Sequence, residues 1–309
     1  MKGSLLNRQA KKETGVLLKD MKVSRGMRVF RVFNLVFLLV VVFLTVYPFL
    51  NIIAQSFSSE GFINSGQVNL FPRGFNVETY KLILADSTFW NSYGNTVLYT
   101  VVATAISMVL TTTFAYAIAK RDLKGRSVFI GIAVFTMFFN GGLIPNYVLI
   151  SSMGMRDSIW AVVIPNAISV FNLLIMKSFF ENMPRELEEA AQIDGLTQYG
   201  VLFKVVLPLS KAIVATMVLF YAVANWNSWF QAFLYLDDPD RFPVTIYLRN
   251  MIAGVTTAGS AGGTAENVGQ IAANIQSVTI VLTVIPILCV YPFVQKYFFS
   301  GVMLGSVKE

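Results

Sequence analysis

The stretch ENMPRELEEAAQIDG, residues 181–195, separates two long apolar segments and has the pattern of a short helix. Pro184 suits the first turn of a helix, where its missing N–H costs nothing. The glutamates that follow it place negative charge at the positive end of the helix dipole. Gly195 suits the left-handed residue that ends a helix. The sequence therefore predicts a helix of about ten residues, too short to be stable alone in water.

Such a helix must gain its order by docking on something else. Leu187, Ala190 and Ala191 form a narrow apolar stripe, and the two alanines allow another backbone to approach closely. One alternative is an interfacial helix that lies on the bilayer, but such helices carry Lys and Arg on their polar face. The polar face here is acidic, and the anionic inner leaflet would repel it. The pattern favours docking on another protein.

Around this stretch the chain has the composition of a membrane protein. Of its 309 residues, 55% are apolar and 13% are charged, whereas an ordinary soluble domain has about 25% charged residues. Six apolar stretches are long enough to cross roughly 30 Å of hydrocarbon. The predicted fold class is all-α, a polytopic membrane protein with six transmembrane helices. The predicted spans lie near residues 32–54, 95–119, 128–150, 158–176, 212–236 and 278–299.

The positive residues predict the orientation of these spans. Six spans place both termini on one side of the membrane, and 19 of the 24 Lys and Arg residues fall on that side. The positive-inside rule therefore predicts cytoplasmic termini. The net charge of +7 reflects this asymmetry rather than binding to nucleic acid. The predicted organisation is a basic cytoplasmic tail (1–31), a six-span domain (32–299) that includes the connection 181–211, and a cytoplasmic C-terminal tail (300–309).

Missing residue types exclude several kinds of chemistry. The chain has no His, which removes Ser-His-Asp and Cys-His nucleophile sets and His-ligated metals. Its one cysteine, Cys289, allows neither a disulfide nor a thiolate metal cluster. It also lacks the Gly-x-x-x-x-Gly-Lys-Ser/Thr phosphate loop of ATPases. We therefore expect no catalytic residues, no metal site and no cofactor, and the chain is not predicted to be an enzyme.

Three other classes of membrane protein are alternatives. An ion-coupled secondary transporter generally carries Asp, Glu or Arg within its spans, and here every acidic residue falls in a connection or a tail. A membrane-embedded enzyme lacks obvious catalytic groups in this chain. A purely structural scaffold would leave the pattern of residues 189–208 unexplained.

That pattern is a spaced motif. It consists of Glu-Ala-Ala at 189–191, Gly195 after three further residues, and Val205-x-Leu207-Pro208 after nine more. The motif resembles the EAA loop of ATP-binding-cassette (ABC) importer permeases, with Val205 in place of the usual isoleucine. The flanking MPRELE (183–188) and LPLSK (207–211) extend the likeness to carbohydrate permeases of the maltose-transporter type, in which the position of Ala212 is often proline.

Other segments resemble the same family. NWNSWF (225–230) is similar to its tryptophan-asparagine signature, and the likeness runs from the first span to the C-terminal tail. GGLIP (141–145) and the end of the chain, residues 295–308, resemble the subgroup that handles complex oligosaccharides.

The resemblance implies a type I ABC importer permease fold with a cytoplasmic coupling helix, in the bacterial inner membrane. It implies a second homologous permease, which favours a heterodimer, and a dimer of cassette ATPases that bind ATP and Mg. It also implies an extracytoplasmic solute-binding protein that delivers the sugar. The tail from Gly301 to Glu309 resembles one that reaches between the ATPases, the alternative being a frayed terminus.

The resemblance also points to residues at the ATPase contact. In this hypothesis the helix docks in a cleft of the ATPase, and Glu189 accepts hydrogen bonds or a cation from it. Ala190 and Ala191 set the approach distance, and Gly195 ends the helix. The full set of coupling candidates is Arg185, Glu186, Glu189, Ala190, Ala191, Asp194, Gly195, Leu207 and Pro208.

Polar and aromatic side chains at membrane depth are candidates for the sugar pathway. Sugar hydroxyls need paired donors and acceptors, which amides supply, and indole rings offer flat faces to pyranose rings. In the alternative interpretation, the asparagines cross-link helices and the tryptophans lie in the interfacial belt. The sequence leaves both open, since one permease of a pair can leave most sugar contacts to the other. The candidates are Asn140, Asn172, Asn225, Trp226, Asn227 and Trp229.

Overall fold

A computed structural model describes residues 25–251 and 274–289, and within these ranges every regular element is helical. A π-helical turn over Leu202–Val206 and a 3-10 turn over Pro239–Arg241 interrupt the α-helices. In chain order the helices are α1 (Arg25–Ser56), α2 (Glu60–Asn64), α3 (Glu78–Ala85), α4 (Ser87–Ala119), α5 (Arg126–Phe138), α6 (Leu143–Ser152), α7 (Ile159–Val163), α8 (Val170–Glu181), α9 (Glu186–Ile193), α10 (Gln198–Val201), α11 (Leu207–Leu209), α12 (Lys211–Trp226), α13 (Phe230–Tyr235), α14 (244–251) and α15 (Asn274–Cys289).

The centre of the structure is the packing of α4 against α8 and α12. Lipid is as apolar as leucine, so helices in a membrane associate through close packing, which small residues permit. Thr96 Oγ1 on α4 donates back to the Ser92 carbonyl of its own helix at 2.9 Å. The buried stripe of α4 includes Ser92, Thr96, Thr100, Ala103, Thr104, Ser107, Thr111 and Ala115.

One hydroxyl joins all three of these helices. Tyr221 of α12 is buried, and its hydroxyl oxygen lies 2.6 Å from Thr111 Oγ1 of α4. The same oxygen accepts a hydrogen bond of 3.1 Å from the backbone N–H of Ser169, the residue that caps α8. Because an unpaired polar group at this depth is costly, the contact stabilises one arrangement of the three helices.

The same core continues into the segment that follows α8. Leu173 and Met176 of α8 and Met217 of α12 are fully buried in one cluster. That cluster also contains Ala191, Val201, Leu202 and Val206, which belong to the segment α9 to α11. The segment is therefore packed onto one end of the bundle instead of extending away from it.

Three of the predicted spans are interrupted. The third consists of α5 and α6, which meet at 114° next to Gly142, a residue with φ of +91°. The fourth divides into α7 and α8 on either side of Pro165, which lacks a backbone donor and disfavours helix in the residue before it. The fifth divides into α12 and α13 after Asn227. Each of the spans predicted near 128–150, 158–176 and 212–236 thus contains two helices separated by a break.

The other three predicted spans coincide with helices. α1 and α4 are each long and apolar enough to cross a membrane, and both begin before the predicted starts at 32 and 95. The bent pair α5–α6, and residues 198–226, pass the same test when each is taken as one span. α15 begins at Asn274. Residues 290–299 of the sixth predicted span lie outside the described ranges, as do residues 1–24 and 300–309 of the two predicted tails.

Hydrogen bonds organise the opposite end of the bundle. Asn91 and Asn95 of α4 each donate to the Asp240 carbonyl at 2.7 Å. The Asp157 carboxylate accepts the backbone N–H groups of Asp238 and of the residue before it, and these bonds lower the pKa of Asp157. The connection after α13 is thereby held against the start of α4.

Replacing Tyr221 with phenylalanine tests the contact at the centre of the bundle. Tyr221→Phe leaves the Ser169 N–H and the Thr111 hydroxyl without this partner, so we expect a loss of about 1–3 kcal/mol of stability. Thermal unfolding in detergent measures it as a lower Tm. Tyr199→Phe is the control, because the Tyr199 side chain is 74% exposed. Equal Tm values for the two variants would contradict the prediction.

Candidate functional site

The helix predicted between Pro184 and Gly195 is present as α9, Glu186–Ile193. Its first turn carries the predicted glutamates, and the backbone N–H groups of Glu188 and Glu189 both donate to the Arg185 carbonyl at 3.0 Å. Gly195 has φ of +82°, and its N–H donates to the Gln192 carbonyl at 3.0 Å. The expected left-handed helix end is therefore confirmed, and it turns the chain back towards the bundle.

One face of α9 is bound to its own chain. Ala191 is only 6% exposed and belongs to the central core cluster. Glu188 forms an ion pair with Lys120, the residue after α4, and its Oε2 lies 3.3 Å from the Tyr116 hydroxyl. The expectation that both alanines set the distance to a partner is thus corrected, because Ala191 packs inward and only Ala190 lies at the surface.

Other side chains of α9 are exposed in the described structure. Leu187 is 42% exposed and Ile193 is 86% exposed, with the exposed Ala190 on the helix between them. Tyr199 and Phe203, in the helical segment after α9, are exposed as well, and we group them with Leu187, Ala190 and Ile193 as the exposed apolar surface. Sequence reasoning missed Ile193, Tyr199 and Phe203, although large apolar residues in a segment of exposed helices are the signal that identifies such a surface.

The polar coupling candidates surround this surface. Glu186 and Glu189 are exposed on the first turn of α9, and Arg185 and Asp194 are exposed at its two ends. Among the described residues, none of these four forms an ion pair. They are therefore available to charged groups of a partner.

Leu207 and Pro208 shape the chain and do not form part of the exposed apolar surface. The N–H of Leu207 donates to the Leu202 carbonyl, five residues back, which is the π-helical bond. Pro208 cannot donate to the carbonyl four residues back. After Ser210 the chain enters α12, at 88° to residues 198–209. Leu207 and Pro208 therefore set the angle between residues 198–209 and α12.

A three-residue ion cluster fixes the helix that leads into α9. Glu181, the last residue of α8, accepts from Arg126 at 2.6 Å and from Lys177 at 2.7 Å. Arg126 also donates to the Ile118 carbonyl of α4 at 2.8 Å. The hydrogen bond from Lys177, together with the charges of Lys177 and Arg126, lowers the pKa of Glu181. This cluster connects α4, α5 and α8.

Two of the predicted pathway residues line one cleft. The cleft has a volume of about 890 Å³ and lies between α8 and α12, with Asn172 and Asn225 in its wall. Asn172 is buried, and the Nδ2 of Asn225 is buried with no hydrogen-bond partner among the described residues. Tyr221 and Asn166 line the same cleft, and no charged residue is among its described lining residues. Sequence reasoning did not identify Tyr221 or Asn166.

Asn140 lines a second cleft, of about 660 Å³, which shares Asn166 with the first. Its Oδ1 accepts from the Gly142 N–H at 3.0 Å and from Asn146 Nδ2 at 3.1 Å. Asn140 therefore organises the bend between α5 and α6 as well as facing a cavity.

The remaining three pathway candidates line neither of these two clefts. Trp226 is buried, and its Nε1 donates to the Thr283 carbonyl of α15 at 3.2 Å. Asn227 Nδ2 bonds back to the Val223 carbonyl at 2.8 Å. Trp229 is 42% exposed and contacts the Arg249 guanidinium at 5.6 Å from its ring centroid. Contacts of this kind favour the helix-linking interpretation for Trp226 and a helix-capping role for Asn227.

Comparison with known proteins assigns the chain to a family. Residues 126–304 match the family model described as the binding-protein-dependent transport system inner membrane component. The chain belongs to this family. The matched range contains α9, the exposed surface on it and both walls of the larger cleft.

Two relatives from Bacillus subtilis (strain 168) extend over nearly the whole chain. Protein LplC is 42% identical over 291 residues, covering 94% of this chain and 99% of the relative. The polygalacturonan/rhamnogalacturonan transport system permease protein YtcP is 41% identical over 276 residues, covering 88% of this chain and 96% of the relative.

A solved structure has the same fold. The crystal structure of a bacterial ABC transporter involved in the import of the acidic polysaccharide alginate contains a chain 34% identical to this one, with a TM-score of 0.80. The similarity covers 89% of this chain and 98% of that chain. The fold is therefore that of a type I ABC importer permease. The chain is a permease subunit of an ABC importer for sugars or oligosaccharides, a class whose members work with an ATPase and a substrate-binding protein.

The ion cluster at Glu181 predicts a pH-dependent stability. Because its pKa is lowered in the folded state, the stabilisation by Glu181 is present above the ordinary glutamate pKa of about 4.3. It is lost as the pH falls through the lowered, folded-state pKa. We expect the Tm of the wild type to exceed that of Glu181→Gln at neutral pH, and the difference to shrink below about pH 4.

Glu78→Gln is the control for this pH series, because Glu78 is exposed and forms no ion pair among the described residues. Differential scanning fluorimetry in detergent measures both Tm differences from pH 7 down to the lowest pH at which the wild type remains folded. A Tm difference for Glu181→Gln that stayed constant throughout would contradict the assigned role of the charge.

Proposed function

We propose that this permease subunit moves an oligosaccharide into the cytoplasm by alternating access, driven by ATP hydrolysis on a separate cassette ATPase that docks on α9. The observation that carries the proposal is the two-sided character of α9. Its inner face is bound to the bundle through Ala191 and Glu188, while Leu187, Ala190 and Ile193 are exposed. A helix attached on one side and free on the other can pass a partner's movement to the spans.

The charges around the exposed face support a protein partner. Glu186 and Glu189 flank the apolar surface and would be repelled by an anionic leaflet, but they can accept hydrogen bonds or cations from an ATPase. The positive-inside rule places this helix, and both termini, in the cytoplasm. That is the compartment in which the ATPase has access to ATP.

For the substrate we propose a complex oligosaccharide. The names of two similar proteins refer to polygalacturonan or rhamnogalacturonan and to the acidic polysaccharide alginate. The larger cleft is lined by the amide side chains of Asn166, Asn172 and Asn225 and by the ring of Phe171. Such a mixture suits sugar rings, which present hydroxyls at their edges and C–H groups on their faces.

We further propose that a second, homologous permease completes the channel as a heterodimer, and that an extracytoplasmic binding protein delivers the sugar. The supporting observation is that the amides of Asn166, Asn172 and Asn225 line a cleft between α8 and α12 of a single copy, and polar groups at membrane depth must be kept away from lipid. The subunit itself needs no metal or cofactor in this scheme. An ion-coupled mechanism has less support, because neither cleft has a charged residue in the part of its lining that residues 25–251 and 274–289 provide.

Gly195→Val tests the coupling role of α9. Gly195 has φ of +82°, where a side chain costs about 1–2 kcal/mol and a β-branched one more. The end of α9 should shift, and we expect the protein still to insert into the membrane. Uptake should fall by at least tenfold, which corresponds to a loss of about 1.4 kcal/mol in the coupling free energy. The measurement is uptake per ATP hydrolysed by the reconstituted transporter. Gly61→Val is the matched control, because Gly61 has open space around it and no positive φ. Full uptake by the Gly195→Val variant would contradict the proposal.

Asn225→Leu tests the cleft. The substitution removes an unpaired buried donor and keeps the side-chain volume, so the folded protein should lose little stability. If the amide pairs with sugar hydroxyls during passage, uptake of radiolabelled galacturonan oligosaccharides should fall about tenfold, as for the loss of one hydrogen bond worth about 1.4 kcal/mol. Asn64→Leu removes an exposed amide far away in sequence and is the control. Unchanged uptake by Asn225→Leu would favour a purely structural role.

A further inference from the structure

α9 makes one ion pair within the described residues, and it connects α9 to a helix that is distant in sequence. Glu188 of α9 pairs with Lys120, which directly follows α4. The covalent route into α9 comes from α8 through residues 182–185. α4 is not adjacent to α9 in the sequence, so side chains make the direct contact between these two helices.

The surroundings of this ion pair are partly buried and polar. The side chains of Lys120 and Glu188 are 26% and 15% exposed, and both line a small cleft of about 210 Å³ at the end of α4. Tyr116 is buried beneath them, with the Lys120 ammonium 4.2 Å from its ring centroid. The Tyr116 hydroxyl lies 3.3 Å from Glu188 Oε2 and 3.4 Å from Gln198 Oε1, so α4, α9 and α10 meet at one point.

α4 links this point to the wall of the larger cleft. Thr111 lies nine residues before Lys120, which is about 14 Å along a helix. Its hydroxyl bonds to Tyr221, whose side chain lines the cleft between α8 and α12. A shift of Glu188 that moves the end of α4 would therefore displace a residue of the cleft wall.

We propose that Tyr116, Lys120 and Glu188 form a latch that transmits the displacement of α9 to α4 and from there to Tyr221. These are positioning residues, because none of them faces the exposed surface of α9 or the large cleft. The inference rests on the proposed docking of an ATPase on α9. It adds a second route for the movement, parallel to the direct connection through α8.

The latch is tested in the complete transporter, reconstituted in proteoliposomes with its ATPase, second permease and binding protein. The variants are Lys120→Met, Glu188→Gln, the double variant with both changes, and the exchange Lys120→Glu with Glu188→Lys. Two quantities are measured: the ATPase retained on purification, and galacturonan oligosaccharide transported per ATP hydrolysed. Retention reports assembly, whereas the transport ratio reports transmission.

We expect each single variant to retain its ATPase and to transport about tenfold less per ATP, within the usual range of coupling between sites. The double variant should be no worse than the single ones, because both changes remove the same contact. The exchange should recover part of the ratio. Lys124→Met is the matched control, since Lys124 lies exposed in the same connection and forms no ion pair among the described residues.

Three outcomes would overturn the latch. Unchanged transport ratios in both single variants would show that α4 receives no movement through this contact. Losses that add in the double variant would show that the two residues act separately. Loss of the ATPase on purification would reduce the contact to a structural anchor of α9. Failure of the wild type to retain an ATPase would instead count against the proposed function, so the two ideas fail in different ways.

Discussion

The structure depends on the close packing of α4 against α8 and α12. Lipid removes most of the hydrophobic driving force between helices, so their association relies on shape and on hydrogen bonds. The stripe of small and hydroxyl residues on α4 provides the shape, and the Tyr221 hydroxyl, shared with Thr111 and the start of α8, provides the specific bond. The larger cleft, the segment from α9 to α11 and the ion clusters all lie against these three helices.

This packing supports α9 along one face. A helix of eight residues is unstable in water without support. Burial of Ala191 and the contact of Glu188 with Lys120 and Tyr116 supply that support from one side. Leu187, Ala190 and Ile193 remain exposed while α9 is held in this way, so the proposed docking requires no unfolding of the helix. The Glu181 cluster holds the end of α8 in place just before this helix.

Two of the three interrupted spans have their breaks beside the clefts. Breaks at Gly142, Pro165 and Asn227 divide three spans into shorter helices, and non-helical backbone at membrane depth is tolerated only beside protein or a cavity. Asn140 and Asn166 lie beside two of these breaks and also line the clefts. The polar residues of the predicted pathway thus divide into those that face cavities, such as Asn172 and Asn225, and those that hold helices together, such as Trp226.

The sequence alone determined the features that depend on neighbouring residues or on composition. The presence of α9, the left-handed Gly195 at its end, the apolar spans and the exclusion of histidine chemistry all follow from local patterns, whereas α9 begins at Glu186 and not at the predicted Pro184. The tertiary structure alone decided which alanine faces inward, which asparagines share a cleft, and that Glu188 meets Lys120, a residue 68 positions earlier. The physical reason is that a helix can be identified from its periodicity and its ends. Its rotation about its own axis, and its contacts with distant helices, are set by packing.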